Sequence, residues 1–416
     1  MTALEKSTSP PRAIASVILS MGLVAVGNGL LFTYIPVQLA EKGFPPWVAG
    51  AVLTAMAVGG LVSCLVTGLI VRRVSHARAF ATMTACVILS VLMISLGTYP
   101  IIWVAARALY GFATTGLFIV SQSWLNDACA NEWRGKVIAL FYMVYVVAIG
   151  SGGFLLRYVS LEGATVPLLG IFFATVALLP VCLTRLPTPP PPASITIAVR
   201  AVWRISPVGL VGLFAAGGLT MLLQGFGPIY VADEGYSKND IGLLIFLMQL
   251  GMIVVQYPLG ALSDRTDRRY VLVAACLLAI AAALFAVETN PERFMLIVLI
   301  FAIWSGATES VFSIANAHAS DRADPEYYVS LSSTLLVAWS ISGLVVPALA
   351  TALTPVFGPK VFMYLAIFIA ALYGSFVIYR ISRREPTPVE ETEPYQQVSA
   401  QAPLSVELAH PLSDKR

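Results

Sequence analysis

Gly260-Ala-Leu-Ser-Asp-Arg-Thr-Asp-Arg-Arg269 lies between two long apolar runs. It has an altered copy 192 residues earlier, Gly68-Leu-Ile-Val-Arg-Arg-Val-Ser-His-Ala-Arg78. In each copy a glycine closes an apolar run, a short basic loop follows, and a second apolar run begins. Two such units in one chain predict a duplicated membrane protein.

The duplication extends outward from the loops. Pro36 pairs with Pro228, Ala40 with Ala232, Gly43 with Gly235, Phe44 with Tyr236, Gly50 with Gly242 and Arg73 with Arg265, all at a spacing of 192. Phe118 with Phe312, Asp127 with Asp321 and Glu132 with Glu326 follow at 194. Register held over four apolar runs is the mark of two halves with one architecture. Parallel six-span repeats place a binding site near the bilayer midplane, where the halves meet.

Composition agrees. Of 416 residues, 58% are hydrophobic and 11% charged, against about 25% charged in a soluble domain. Residues 13–40, 44–71 and 79–106 contain no Asp, Glu, Lys or Arg. Each outruns the roughly 20 residues that cross a bilayer, and in hydrocarbon each must be a helix to satisfy its backbone. Twelve spans are predicted: 13–40, 46–71, 79–97, 101–125, 137–158, 164–183, 207–231, 240–263, 270–287, 294–316, 327–353 and 361–379. The first run is too long for a cleavable signal peptide. Five cysteines show no metal spacing, and the four in apolar runs read as small core residues.

The organisation is then a cytoplasmic segment 1–12, a six-helix bundle 13–184, a linker 185–206, a second six-helix bundle 207–380 and a disordered cytoplasmic tail 381–416. The linker carries Pro189-Pro190-Pro191-Pro192, a run that resists helix and acts as a spacer. With the N-terminus inside, nineteen Lys and Arg fall on the inner side and five on the outer. The positive-inside rule then puts both termini in the cytoplasm.

Twelve helices in two sixes, a long central linker and these loops resemble the major facilitator superfamily over residues 13–380. Gly260, Leu262, Asp264, Arg265, Arg268 and Arg269 match its loop signature, with Asp267 in place of a second glycine. The first copy keeps Gly68 but has Arg72 where the aspartate belongs. Arg107-Ala-Leu-Tyr-Gly111-Phe-Ala-Thr-Thr115 resembles the family's fourth-helix signature. Gly150-Ser-Gly152-Gly153 only partly matches the fifth-helix pattern of drug–proton antiporters. The resemblance implies an all-α membrane protein of two six-helix bundles related by a pseudo-two-fold axis, working by alternating access.

It also implies that Asp264 gates the cytoplasmic side by accepting hydrogen bonds from a helix N-terminus of the opposite half, which falls near Val137. Unpaired amides and partial positive charge suit an aspartate there. A pairing with its own Arg268 is the simpler alternative. Arg72 would repel a helix N-terminus, so the second latch is read as an ion pair of Arg72 or Arg73 with Asp324 or Glu326. Two solvated loops of opposite sign is an equal alternative, since exposed pairs contribute about 0–1 kcal/mol.

Arg107 and Glu309 are the charges within spans. Charges at membrane depth are costly and face a cavity or a partner. Arg107 can hold a substrate anion or tune a proton site; Glu309 can carry the proton. Either can instead be a structural charge met by polar neighbours. About 13 Å of depth argues against a direct pair. Asn28, Phe32, Tyr34, Tyr110, Gln224, Phe226, Gln249 and Trp304 are read as the substrate surface, with Gln256, Asn316 and Trp339 beside them, although for each a neighbouring helix is an alternative partner. Pro36 and Pro228 break helical bonding and are candidates for bends.

No nucleotide loop, nucleophile motif or His/Cys/Asp cluster is present, so neither an enzyme nor an ATP-driven pump is expected, and no cofactor or nucleic-acid partner. The expectation is a monomeric, proton-coupled carrier of the inner membrane for a small organic solute, such as a planar vitamin or nucleobase-like compound. A drug or metabolite efflux antiporter stays open. So does, in another class, a membrane sensor on a transporter scaffold, although the short tail offers no output domain.

Overall fold

The computed structural model describes residues 11–44, 46–97, 99–129, 131–161, 163–184, 197–290, 292–324 and 327–385, with 388, 392 and 395. Twelve of its helices are long and apolar enough to cross a membrane. They are α1 Pro11–Glu41, α2 Pro46–Val74, α3 His76–Ser95, α4 Pro100–Ala128, α5 Asn131–Leu155 and α6 Thr165–Leu183. The second six are α7 Pro207–Asp233, α8 Lys238–Ser263, α9 Arg268–Glu288, α10 Phe294–Ser320, α11 Tyr328–Phe357 and α12 Val361–Ile381.

Several helices outrun the apolar runs that announced them. α5 begins at Asn131 and α4 continues to Ala128. Apolarity marks the part of a helix that meets hydrocarbon, whereas the hydrogen-bonded ladder continues wherever a cap allows. At α8 a capping box sets the start: Asp240 N–H donates to Ser237 Oγ and Ser237 N–H donates back to Asp240 Oδ2, satisfying two end donors together. The linker also differs from a plain spacer. Val199–Ile205 forms a short helix, and the proline run lies outside the described residues.

The two candidate bends behave differently. α1 is helical through Pro36, but α7 widens to a π turn over Leu222–Phe226 just before Pro228. Proline has no N–H to give the carbonyl four residues back and its ring crowds that carbonyl. Here the carbonyl is that of Gln224, and the wider turn relieves the crowding.

Contacts repeat across the halves. α2 lies on α4 as α8 lies on α10, α1 on α5 as α7 on α11, and α3 on α4 as α9 on α10. The halves meet along two seams, α5 with α8 and α2 with α11. The loops 72–78 and 264–269 share one end of the molecule, here called the basic end. At the opposite end the bundles interlock. Val37, Leu53 and Leu161 pack into the second bundle's core. Phe154 meets Phe246 at 5.7 Å between ring centres, and Lys238 Nζ donates to Val159 O.

Candidate functional site

A cavity of about 120 Å³ lies between the bundles, walled by α1, α2, α4 and α5 from one half and α7 and α11 from the other. A smaller one of about 20 Å³ adjoins it toward the far end, and Phe32, Leu53, Gln224 and Gly225 line both.

Asn28 anchors the first wall. It accepts a hydrogen bond from Tyr110 Oη and donates through Nδ2 to Tyr145 Oη at 3.2 Å. This chain ties α1 to α4 and α5 and fixes the amide. Gln224 projects from the π turn of α7, where its Nε2 donates to Ser305 Oγ at 3.1 Å. Trp339 of α11 closes the far wall, with its indole N–H unpartnered.

Arg107 lines the smaller cavity, beside Phe32 and Gln224, which line both. Its position follows from Gly111, one turn along α4. A Cβ there would fall 2.0 Å from Met56 O, so only glycine lets α4 seat directly on α2. That seating brings Arg107 Nη2 to 2.7 Å from Met56 Sδ. The guanidinium lies 5.0 Å from the centre of the Tyr110 ring and 6.0 Å from that of Phe32. Arg107 is 3% exposed, and its Nε and Nη1 have no partner.

The other candidates lie elsewhere. Tyr34 is packed in the first bundle's core and Phe226 in the second's. Trp304 is fully buried against Phe301 and Phe362. Gln249 is buried on the face of α8 toward Gly150 of α5, along the seam. None of these four lines either cavity. Glu309 is buried at 1% exposure within α10 and lines neither cavity. Met56, Tyr145, Thr114 and Ser340 do line the main one. Nothing in their local sequence set them apart from packing residues.

At the basic end the second loop is a bonded network. Arg268, 2% exposed, donates from Nε to Asp321 Oδ2 at 2.6 Å and from Nη1 to Ser263 Oγ at 3.1 Å. Asp264 stands 3.6 Å from the same guanidinium. Arg269 is held by Asp267 at 2.6 Å and donates to Arg384 O at 2.7 Å. Burial pushes the Asp267 carboxyl upward, but its bonds to Arg269 outweigh this and hold it below the usual carboxylate range. Arg265 is exposed. In the first half Arg72 and Arg73 are exposed, as is Asp324, while Glu326 lies outside the described residues.

One contact was not foreseen. The disorder read for the tail does not hold at Tyr395. Its backbone N–H donates to Asp264 Oδ1 at 2.8 Å and its hydroxyl to Ser313 Oγ at 2.7 Å. The ring rests on Gly260, where a Cβ would fall 2.2 Å from it. The motif glycine and the motif aspartate thus both hold Tyr395 between α8 and α10. Burial raises the phenol above its ordinary value, and the nearby Glu309 adds to this.

The model of the Major Facilitator Superfamily matches residues 17–237 and again 208–413. The MFS-type transporter YcaD of Escherichia fergusonii is 23% identical over 383 residues, covering 91% of this chain and 98% of the relative. Among solved structures, the nucleoside transporter NupG superposes with a TM-score of 0.72 at 13% identity, over 90% of this chain and 100% of that one. The human organic anion transporter MFSD10 does so with a TM-score of 0.60 at 16% identity, over 89% and 100%.

Proposed function

The chain belongs to the major facilitator superfamily, and on that premise we propose that it is a monomeric secondary carrier moving a small organic solute across the inner membrane by alternating access. The observation that carries this reading is the cavity walled by both halves, at the meeting of the two repeats. A site shared by two bundles can change its access when they rock against each other along the α2–α11 and α5–α8 seams. The excess of Lys and Arg supports a cytoplasmic basic end. The interlocked far end is then the outer gate in its closed state. A planar solute suits a cavity with an aromatic wall at Phe32 and Trp339 and amides at Asn28 and Gln224.

Glu309 is the proton carrier in this reading, because a carboxylate buried in a membrane helix can be loaded and unloaded as its access changes. The test is solute uptake into proteoliposomes with and without an imposed pH gradient, against a panel of metabolites. Gradient-driven accumulation is expected for the wild-type protein and its loss, with exchange retained, for Glu309→Gln. Uphill transport by Glu309→Gln that still follows the pH gradient would remove Glu309 from coupling. No uptake or exchange of any compound would sink the carrier reading.

A further inference from the structure

We propose that the Arg107 end of the cavity is a subsite for the carboxylate of a monoanionic organic solute; the proposal rests on the carrier reading, in which this cavity is the transport site. Of the two roles open to Arg107, the geometry supports anion binding.

The argument begins with an imbalance. An arginine side chain stays protonated in a protein and offers five N–H donors. Taking such a charge out of water is costly, even after relaxation. Arg107 is 3% exposed, yet Nε and Nη1 have no partner, and Nη2 meets only Met56 Sδ. A thioether is a weak acceptor. The Tyr110 and Phe32 rings offset part of this through cation–π attraction, and neither uses the free N–H groups. No carboxylate among the described residues pairs with it. The protein has built a cation and withheld its counter-ion.

The missing group has a definable chemistry. A carboxylate matches the guanidinium edge with two parallel, charge-assisted bonds. Arg107 is the one charged residue among those lining the two cavities. A monoanion therefore leaves the site neutral, whereas a dianion such as a phosphate monoester would leave a net negative charge at membrane depth. The rest of the ligand has room on the other side of Phe32, in the larger cavity. Trp339 waits there with an unpartnered indole N–H for an acceptor.

The test uses purified full-length protein and matched probes: benzoate with benzamide, and nicotinate with nicotinamide, with chloride as a separate probe. Binding is read from the shift in melting midpoint. Each carboxylate is expected to bind about tenfold or more tighter than its amide, the scale of a hydrogen bond to a charged group. Arg107→Gln should abolish that preference and, without ligand, melt higher than the wild type, because it removes an uncompensated charge. Arg107→Lys should keep part of the preference, having charge without the fork.

Amides that bind as well as acids overturn the proposal. So does a Gln variant that retains the preference or melts lower than wild type, since the protein itself would then satisfy the arginine. Chloride that stabilises as much as the carboxylates makes the site one for an inorganic anion and also overturns it. Carboxylate binding without uptake into proteoliposomes leaves the subsite standing and sinks the carrier reading. Uptake confined to the amides does the reverse.

Discussion

In the first half the turn between α2 and α3 places His76 at the start of α3, where its Nε2 lies 2.9 Å from Ser123 Oγ of α4 and its ring 5.6 Å from that of Trp124. In the second half, 192 residues on, Arg268 starts α9 and bonds Asp321 at the end of α10. Both contacts tie the incoming helix to the same end of the helix it packs against. The residue before each also corresponds. Ser75 sits at φ 75° and makes no side-chain cap, whereas Asp267 sits at φ −58° and caps α9 by accepting from Arg269 N–H. Position 267 is where the family signature carries glycine, and Ser75 shows why. The first turn still uses the left-handed backbone that glycine tolerates best. The duplication preserved a joint and let its chemistry diverge, neutral and strained on one side, charged and capped on the other.

Cutting the charged joint should have the largest effect. Asp321→Asn leaves a buried guanidinium short of its partner and is expected to cost about 3–5 kcal/mol, read as a lowered melting midpoint in detergent. The double variant with Arg268→Gln should recover much of the loss. A double variant no better than the single would mean the ion pair is not what holds the joint. Cutting the neutral joint by Ser123→Ala should cost about 1 kcal/mol. A loss as large as that of Asp321→Asn would erase the distinction between the halves.

Glycine at the capping position should act with opposite sign in the two turns. Ser75→Gly relieves left-handed backbone and is expected to add about 1 kcal/mol. Asp267→Gly removes a cap, a small loss against glycine, and also the carboxylate bonded to buried Arg269, so it should cost at least about 1 kcal/mol. Like signs would show that the two turns do not differ as described. Smallest is Arg72→Gln in the exposed first loop, with less than about 1 kcal/mol expected. We read it by comparing melting and transport with a Glu326→Arg, Arg72→Glu charge swap. Transport lost in each single variant and restored in the swap would make that pair a latch.

The duplicated fold was legible because hydrocarbon imposes it: a 28-residue run without charge leaves no choice but a spanning helix. Arg107 was legible for a related reason, since a lone charge in such a run has few ways to be tolerated. Facing was harder. Gln224 and Gln249 look alike in sequence, yet one lines the cavity and the other lies along a seam. Polarity says that a side chain needs a partner but not which helix supplies it. Trp304 and Trp339 separate in the same way. Tyr395 was beyond reach, because it follows a polar, proline-bearing segment and owes its burial wholly to distant residues.

Tyr395 also sets a threshold for whatever approaches from the basic end. A group on the same chain competes for its place at an effective concentration of about millimolar, independent of how much protein is present. A free molecule seeking the niche on Gly260 and Asp264 must outbid that standing occupancy, so ligands of micromolar abundance succeed there only with much higher intrinsic affinity. A protein shortened before Tyr395 and the full-length protein are therefore different samples at this niche.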